Sequence, residues 1–516
     1  MASAARLLRS LYRDSVSLMQ LSAGLAARAG IVQASAVMAT PANLALLAGA
    51  GLDPGRLAAG PNDLLIAARG GKAADLEAAL DAAVAELEKP PAAAPGGGPA
   101  ELAPRSLQMA LAQSTAPSPA PNLALISTPG EYAAAEAMKA LRLGLNAMLF
   151  SDNVALRDEV ALKRYARDHG LLVMGPDCGT AIIDGIPLGF ANAVRRGNIG
   201  VVGASGTGTQ QVTCLVHRRG AGVSQAIGTG SHDLGVKVGG ITMLQGIRAL
   251  AKDSETKVIV LVSKPPSPEV AARVLAAARR CGKPVVVNFV GAPAGSIAGK
   301  NLHQAETLEE AALAAVALSR GRNPSTGTTK KFHQERVRFS PRQRYVRGLF
   351  SGGTFCYEAS ALLGAALGEV WSNAPVDPRL RIADVHESRG HTLIDLGDDE
   401  FTRGRPHPMI DFRLRNERLL AEAADPEVAV ILLDVVLGYG ANADPAAELV
   451  PALEAARSAA RRKGRNLALV GFVCGTDADP QGFARQESAL RKAGMRLAES
   501  NAQAARLATA LLGRRR

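Results

Sequence analysis

The sequence predicts an α/β protein in which two tandem doubly wound parallel-sheet domains, Rossmann- or flavodoxin-like, follow a small N-terminal α/β domain. Three observations predict it. The chain has 516 residues, about three domains at roughly 150 residues each. Strand-length apolar runs alternate with helix-period segments, which implies βαβ units and largely parallel sheets. One ordered set of segments also occurs twice, which implies two related domains.

Residues 1–89 hold short apolar runs at 16–19, 31–38 and 64–68 beside helical patterns, and the helical spacing over 75–87 ends at Lys89-Pro90; this is the small N-terminal domain. Residues 90–121 are crowded with Pro, Ala, Gly and Ser, a composition that buries no core and reads as a linker. Strands at 123–127, 147–150 and 171–174 then alternate with helices through residue 195. Residues 196–320 form the first copy of the repeat, 321–344 a polar and basic linker, and 345–516 the second copy. Ile199-Gly-Val-Val-Gly-Ala-Ser-Gly-Thr-Gly-Thr209 corresponds to Leu349-Phe-Ser-Gly-Gly-Thr354, and residues 225–233 correspond to 393–399. The strands at 253–262 and 282–291 correspond to those at 425–433 and 464–473, with about twenty extra residues in the second copy.

Composition narrows the function classes. The chain is 47% hydrophobic and 21% charged, which excludes a wholly disordered or fibrous protein. The net charge is +12, yet aromatics are only 3% of the chain, and nucleic-acid modules usually add aromatic stacking platforms. No nucleic-acid partner is expected. The longest apolar runs fall well short of the ~18 residues that span a bilayer, so no membrane partner is expected either. The five cysteines (Cys178, Cys214, Cys281, Cys356, Cys474) have neither metal-ligand spacing nor an even disulfide framework. That pattern predicts reduced thiols, a cytoplasmic protein and no metal site.

The loops carry the chemistry. Ser205-Gly206-Thr207-Gly208-Thr209 lies between an apolar strand and a helix, where glycines admit a ligand to backbone amides and the helix start presents unpaired N–H groups. It lacks the Gly-Lys-Ser/Thr ending of a P-loop and the strict dinucleotide spacing. The plain alternative is a Gly-rich turn with Thr as N-cap. Ser351-Gly352-Gly353-Thr354 repeats the device, so two helix starts can face one anion such as phosphate. Gly175, Pro176, Asp177 and Cys178 follow a strand end, where open α/β sheets place ligands; Cys178 reads as a buried thiol ahead of a nucleophile. Asp395, Arg405, His407 and Asp411 form a polar patch assigned to the second copy's insertion, to be weighed against a surface loop with internal salt bridges. Prolines on both sides hold His407 extended, and Arg405 can clasp an anion in a forked, bidentate way. Asp434, at a strand end, can orient a ligand or cap a helix. His169, His217, His303 and His333 show no partner spacing, and His386 and His391 receive no role.

These segments resemble a known family. Val173-Met-Gly-Pro-Asp-Cys-Gly-Thr-Ala181, Gly203-Ala-Ser-Gly-Thr-Gly-Thr209, Ser263-Lys-Pro-Pro266 and Gly282-Lys-Pro284 are similar to the α subunit of succinyl-CoA synthetase. The second half resembles the ligase domain of that enzyme's β subunit. The whole chain resembles the FdrA family of acyl-CoA synthetase-like proteins, through Arg13-Asp-Ser-Val-Ser-Leu-Met19, Ala39-Thr-Pro-Ala-Asn43, Gly60-Pro-Asn-Asp63, Phe150-Ser-Asp-Asn153, Ile394-Asp-Leu-Gly-Asp-Asp399 and Arg405-Pro-His-Pro-Met-Ile-Asp411.

In succinyl-CoA synthetase the two Gly-rich helix starts flank a phosphorylated histidine. The family's Gly-His-Ala-Gly segment is missing here; the chain reads Gly291-Ala-Pro-Ala-Gly-Ser-Ile297. The FdrA resemblance therefore implies a subunit of an oxamate carbamoyltransferase in allantoin catabolism, interconverting oxalurate plus phosphate with oxamate plus carbamoyl phosphate beside partner subunits. Arg405 and His407 would then hold the organic carboxylate or the carbamoyl oxygen. An acyl-CoA ligase subunit, with CoA near residues 175–180, is the alternative, and a noncatalytic scaffold a further one. The expected ligand is a small anion, with no certain cofactor, in a multisubunit or oligomeric protein.

Overall fold

The computed structural model describes residues 2–11, 13, 15–52, 57–88, 104–114, 120–324, 337–402 and 406–513. The N-terminal unit runs β1 (Ala2–Leu8), α1 (Ser15–Ala26), β2 (Ile31–Met38), α2 (Pro41–Gly49), β3 (Leu64–Gly70) and α3 (Ala73–Glu88). Its sheet has the antiparallel order β1-β3-β2. Leu76, Ala79, Leu80 and Ala83 recur at helical spacing and pack α3 on Leu64, Ile66 and Ala68, as an amphipathic helix must.

A helix, α4 (Leu107–Gln113), forms inside the stretch expected to be linker. A local cap outweighs the composition: Ser106 accepts from the Met109 N–H, and Leu107 and Leu111 pack against the next unit. That unit contains β4 (Leu123–Ile126), α5 (Gly130–Arg142), β5 (Asn146–Leu149), α6 (Leu156–Asp168) and β6 (Val173–Met174). Its three strands are parallel. The hairpin β7 (Thr180–Ile183) and β8 (Ile186–Gly189) follows and joins the next sheet.

The first large domain comprises β9 (Arg196–Gly203), α7 (Gly206–Arg218), β10 (Val223–Gly228), α8 (Ile241–Lys252), β11 (Val258–Ser263), α9 (Pro268–Arg280), β12 (Val285–Phe289), β13 (Leu302–Gln304) and α10 (Leu308–Ser319). The second comprises β14 (Tyr345–Phe350), α11 (Gly353–Leu367), β15 (Val370–Ser372), β16 (His391–Asp395), α12 (Asp399–Thr402), α13 (Arg413–Ala424), β17 (Val428–Val436), α14 (Pro445–Arg462), β18 (Ala468–Cys474), α15 (Phe483–Lys492), β19 (Met495–Ala498) and α16 (Asn501–Leu512). The sheets read β13-β12-β11-β9-β10-β7-β8 and β15-β16-β14-β17-β18-β19; with the β7-β8 hairpin and the edge strand β15 set aside, each domain keeps five core strands, β13-β12-β11-β9-β10 and β16-β14-β17-β18-β19. Numbered within each domain, both read 2-1-3-4-5, the flavodoxin order, and both Gly-rich loops follow the first strand at the topological switch point. Every residue of β11 and of β17 is buried, which explains their unbroken apolar runs: helices cover both faces of a parallel strand.

The extra residues of the second copy fall between α11 and β16, around β15. This corrects the expectation for Asp395: it ends β16, a core strand and the counterpart of β10, and does not belong to the insertion. A polar residue at the end of a buried strand imitates a loop in sequence.

Helices α7, α10, α11 and α16 pack together between the two sheets. Val212, Leu215, Ala311, Ala315, Phe355, Ala359, Ala504 and Ala508 belong to one continuous apolar core, and alanine faces let the helix axes approach closely. That core fixes the two Gly-rich loops relative to each other.

Candidate functional site

Ser205 caps α7 with its own side chain, accepting from the Gly208 N–H at 2.9 Å; the cap is serine, where the plain reading expected threonine. Its hydroxyl also meets the Thr354 hydroxyl of α11 at 2.6 Å. The two helix starts therefore touch across the domain boundary. Gly352 sits so close to Thr207 that a Cβ would press on its methyl group, and a Cβ on Gly353 would overlap the Asp395 carboxylate. Only glycine permits this approach.

Several predicted donors are already engaged, beginning with the Gly208 N–H, which donates to the Ser205 hydroxyl and is thus a support and not a phosphate ligand. Ser351 gives its N–H and hydroxyl to Asp434, at 2.9 and 3.0 Å, and the Gly352 N–H joins them at 2.9 Å. Thr209 is fully buried and donates to the Ser205 carbonyl. Ser351, Gly352 and Thr209 are thus corrected from phosphate ligands to supports: an internal carboxylate fills one nest, and a helix-back hydrogen bond takes the threonine. The N–H groups of Gly206, Thr207, Gly353 and Thr354 occupy the first turns of their helices, where no intrahelical acceptor exists.

The surrounding side chains come from both domains. Lys264, just after β11, has its Nζ 3.4 Å from where a Gly353 Cβ would sit and acts on Asp395 through its charge. Burial pushes the Asp395 carboxyl up to about 6, with Lys264 pulling the other way. His407 takes a hydrogen bond from the Met409 N–H on Nδ1 at 3.2 Å, which assigns its proton to Nε2. Burial, helped by Arg415, lowers His407 to about 4, so it is neutral at pH 7. Its ring packs against Phe190, centroids 5.6 Å apart, which ties the β8 end to the second domain. Arg415 is fully buried and donates to Asp434 at 2.8 Å.

Residues 175–180 border the same cleft, since Thr180 Oγ1 lies 3.5 Å from where a Gly206 Cβ would sit. Loss of solvation pushes the Asp177 carboxyl up to about 6, with a hydrogen bond to Ser231 opposing the rise. Cys178 is buried and its thiol is pushed up to about 12. At neutral pH it is not a thiolate, and the thiolate is the nucleophile. Asp411 does not turn to the cleft; Arg413, two residues on, holds its carboxylate. Arg405 lies outside the described residues, as does His333. His303 stands in β13, against β12. His217 bonds to Asp477 across the domain boundary, a partner far away in sequence. Lys264 and Arg415 were not singled out as site residues, because a lysine in a Pro-rich turn and an arginine in a charged helix carry no spacing signal.

Comparison with known proteins decides the family. Protein YahF of Escherichia coli K12 is 45% identical over 502 residues, 96% of each chain. The chain belongs to the FdrA family of acyl-CoA synthetase-like proteins. A CoA-ligase family model matches residues 349–511, the second domain. A CoA binding domain model matches residues 194–291, most of the first domain. The α subunit 2 of an ADP-forming succinate–CoA ligase from Archaeoglobus fulgidus is 30% identical over 186 residues, 34% of this chain and 62% of that protein. A dinucleotide-forming acetyl-CoA synthetase 1 structure from Ca. Korarchaeum cryptofilum aligns with 76% of this chain and 82% of its own at 16% identity. Its TM-score of 0.32 is too low to carry an argument.

The N-terminal match, over residues 1–104, is to a heavy metal-associated domain of AllF. Residues 1–104 contain neither cysteine nor histidine. They do not fit a soft-metal site, which needs thiolate or imidazole ligands. Among the described residues no group of three or more His, Cys, Asp or Glu can hold a metal, and no helix is long and apolar enough to cross a membrane.

Proposed function

We propose that the cleft between the two flavodoxin-like domains binds the phosphate of an acyl phosphate, and that the chain is an acyl-CoA synthetase-type enzyme subunit of the acid–thiol ligase class. The meeting of the Ser205 and Thr354 hydroxyls at 2.6 Å carries the reading, because it brings the two helix starts together, and Lys264 Nζ stands beside Gly353 at the same place. Thiol attack on the acyl carbon breaks the bond to phosphate oxygen. The departing phosphate gathers negative charge, which the Gly206, Thr207, Gly353 and Thr354 amides, the Thr207 hydroxyl and the Lys264 ammonium stabilise. Neutral His407 supplies an Nε2–H for the acyl oxygen. The CoA-ligase and CoA binding matches support CoA as the acceptor and partner subunits for the rest of the reaction.

Carbamoyl phosphate is itself an acyl phosphate, so carbamoyl transfer to oxamate is the second reading. The observation that favours it is Gly291-Ala-Pro-Ala-Gly-Ser-Ile297, where the resemblance calls for the phosphorylated histidine: carbamoyl transfer can proceed by positioning alone. Thermal unfolding of the purified chain with CoA, and separately with carbamoyl phosphate plus oxamate, separates the two. A rise in Tm with CoA supports the ligase. A rise with carbamoyl phosphate plus oxamate and none with CoA moves the assignment to the transferase.

The site predicts a pH dependence. Asp395 is protonated below about 6 and then no longer repels an anion, so affinity rises as pH falls through that value. Sulfate is the suitable probe because its own charge stays constant there. Titrations between pH 5 and 8 are expected to give tighter sulfate binding at the acid end, and a shallower profile for Asp395→Asn, the remaining slope belonging to Asp177 at the rim. A profile unchanged by the substitution places the anion away from Asp395.

A further inference from the structure

A second concave site lies beside the exposed residues Arg164 and Arg167 of α6. A cavity of about 270 Å³ is lined by Arg164 and Arg167 of α6, Lys237 of the loop before α8, Arg248 of α8 and Arg273 of α9. Three separate helices and a loop thus aim five cations into one cavity. The neighbouring acids compensate few of them. Asp168 pairs with Arg167 at 2.8 Å, and Glu269 stands 4.0 Å from Arg273. Arg164, Lys237 and Arg248 make no ion pair among the described residues. The carboxylates of Glu159 and Asp233, which could neutralise this seam, are instead buried on Lys163 at 2.7 and 2.9 Å.

The cleft does not explain this charge. Glu159 and Lys163 face the loop that carries Thr229, Ser231 and His232, whereas Arg164 and Arg167 lie further along the helix, on exposed positions. The same cavity also presents apolar surface: Val236 is 61% exposed within it. Five like charges gathered against two neighbouring acids, Asp168 and Glu269, are unfavourable for the empty protein and favourable once a polyanion arrives. Arginine forks match phosphate oxygens in a bidentate way. The volume lies just under the range of drug-sized sites, which suits a compact ligand.

We propose that this cavity binds a small ligand carrying two or more adjacent phosphates. Such a group can be free pyrophosphate or the diphosphate of a nucleotide, whose base would cover Val236.

The test is calorimetric titration of the full chain with inorganic pyrophosphate, ADP and hexaglutamate, using wild type, Arg164→Ser/Arg248→Ser and Thr207→Val. The expected result is that pyrophosphate or ADP binds the wild type, that the affinity of this event falls at least tenfold in the double variant, and that Thr207→Val, which weakens anion binding only in the cleft, retains the event. Since the substituted arginines are exposed, the Tm of the double variant is expected to match wild type. Tighter binding of ADP than of pyrophosphate identifies the nucleotide form, and equal binding the free diphosphate. Wild-type affinity in the double variant overturns the proposal. So does loss in Thr207→Val, which would put the diphosphate in the cleft, or binding of hexaglutamate alone, which would assign the patch to an acidic protein segment.

Discussion

Replacing Asp434 with alanine is expected to cost about 3–5 kcal/mol of stability, the penalty for breaking one half of a buried ion pair. Asp434 and Arg415 are both fully buried and 2.8 Å apart. The Asp434 carboxylate also takes the N–H of Ser351, the N–H of Gly352 and the Ser351 hydroxyl. Arg415 rests on the Phe412 ring, 4.3 Å from its centroid, but among the described residues its Nε and Nη2 have no hydrogen-bond partner. Without Asp434 the guanidinium is left charged, buried and uncompensated. The turn that starts α11 loses its anchor at the same time, so anion binding in the cleft falls with stability. Urea unfolding measures the first effect and sulfate titration the second. Arg415→Met added to Asp434→Ala is expected to recover part of the stability, because it removes the orphaned charge, and none of the binding. A single variant within 1 kcal/mol of wild type contradicts this account of the loop.

The second large effect is a pH dependence of the domain interface. Glu358 of α11 is buried, accepting from the Leu308 N–H at the start of α10 and from Asn501 Nδ2 at the start of α16, both at 2.7 Å. Burial pushes its carboxyl from an ordinary 4.5 up to about 7. Between those values the folded state holds a proton that the unfolded chain has released. The associated stability is fully present below the ordinary value and lost as pH rises through about 7. The shift converts to about 3 kcal/mol at ~1.4 kcal/mol per unit. Glu358→Gln, neutral at every pH, is expected to flatten the loss of stability between pH 5 and 8 by about that amount relative to wild type. Parallel pH profiles for the two proteins sink the assignment. Since α11 begins at Gly353 and Thr354, ionisation of Glu358 loosens the helix that carries half of the cleft.

The repeat was legible because its signals are local: apolar strand runs, glycines at strand ends, and helix periods between them. The shared strand order follows from that spacing and from the need to bury both faces of a parallel sheet. Residues 205–209 and 351–354 were readable as paired helix starts for the same reason. What the sequence hid is pairing at long range. Nothing near Ser351 announces that Asp434 fills its nest, and nothing near Lys264 announces that it reaches Gly353 and Asp395. Arg415 stands among four other charged residues of its helix, and only burial distinguishes it. Ser106 shows the reverse case, where a local cap outweighed a composition that reads as linker.

The central claim is that the Gly-rich helix starts of the two domains bind one anion between them. The most direct measurement is the thermal shift given by acetyl phosphate and by inorganic phosphate, in wild type and in a Thr207→Val/Lys264→Met variant. At about a hundred times its dissociation constant a ligand stabilises the fold by roughly 2.7 kcal/mol, and each lost hydrogen bond to a charged group removes about 1.5–3 kcal/mol of affinity. The account predicts a clear rise in Tm for wild type that the double variant loses. An equal rise in both proteins, or none in wild type with either compound, contradicts it.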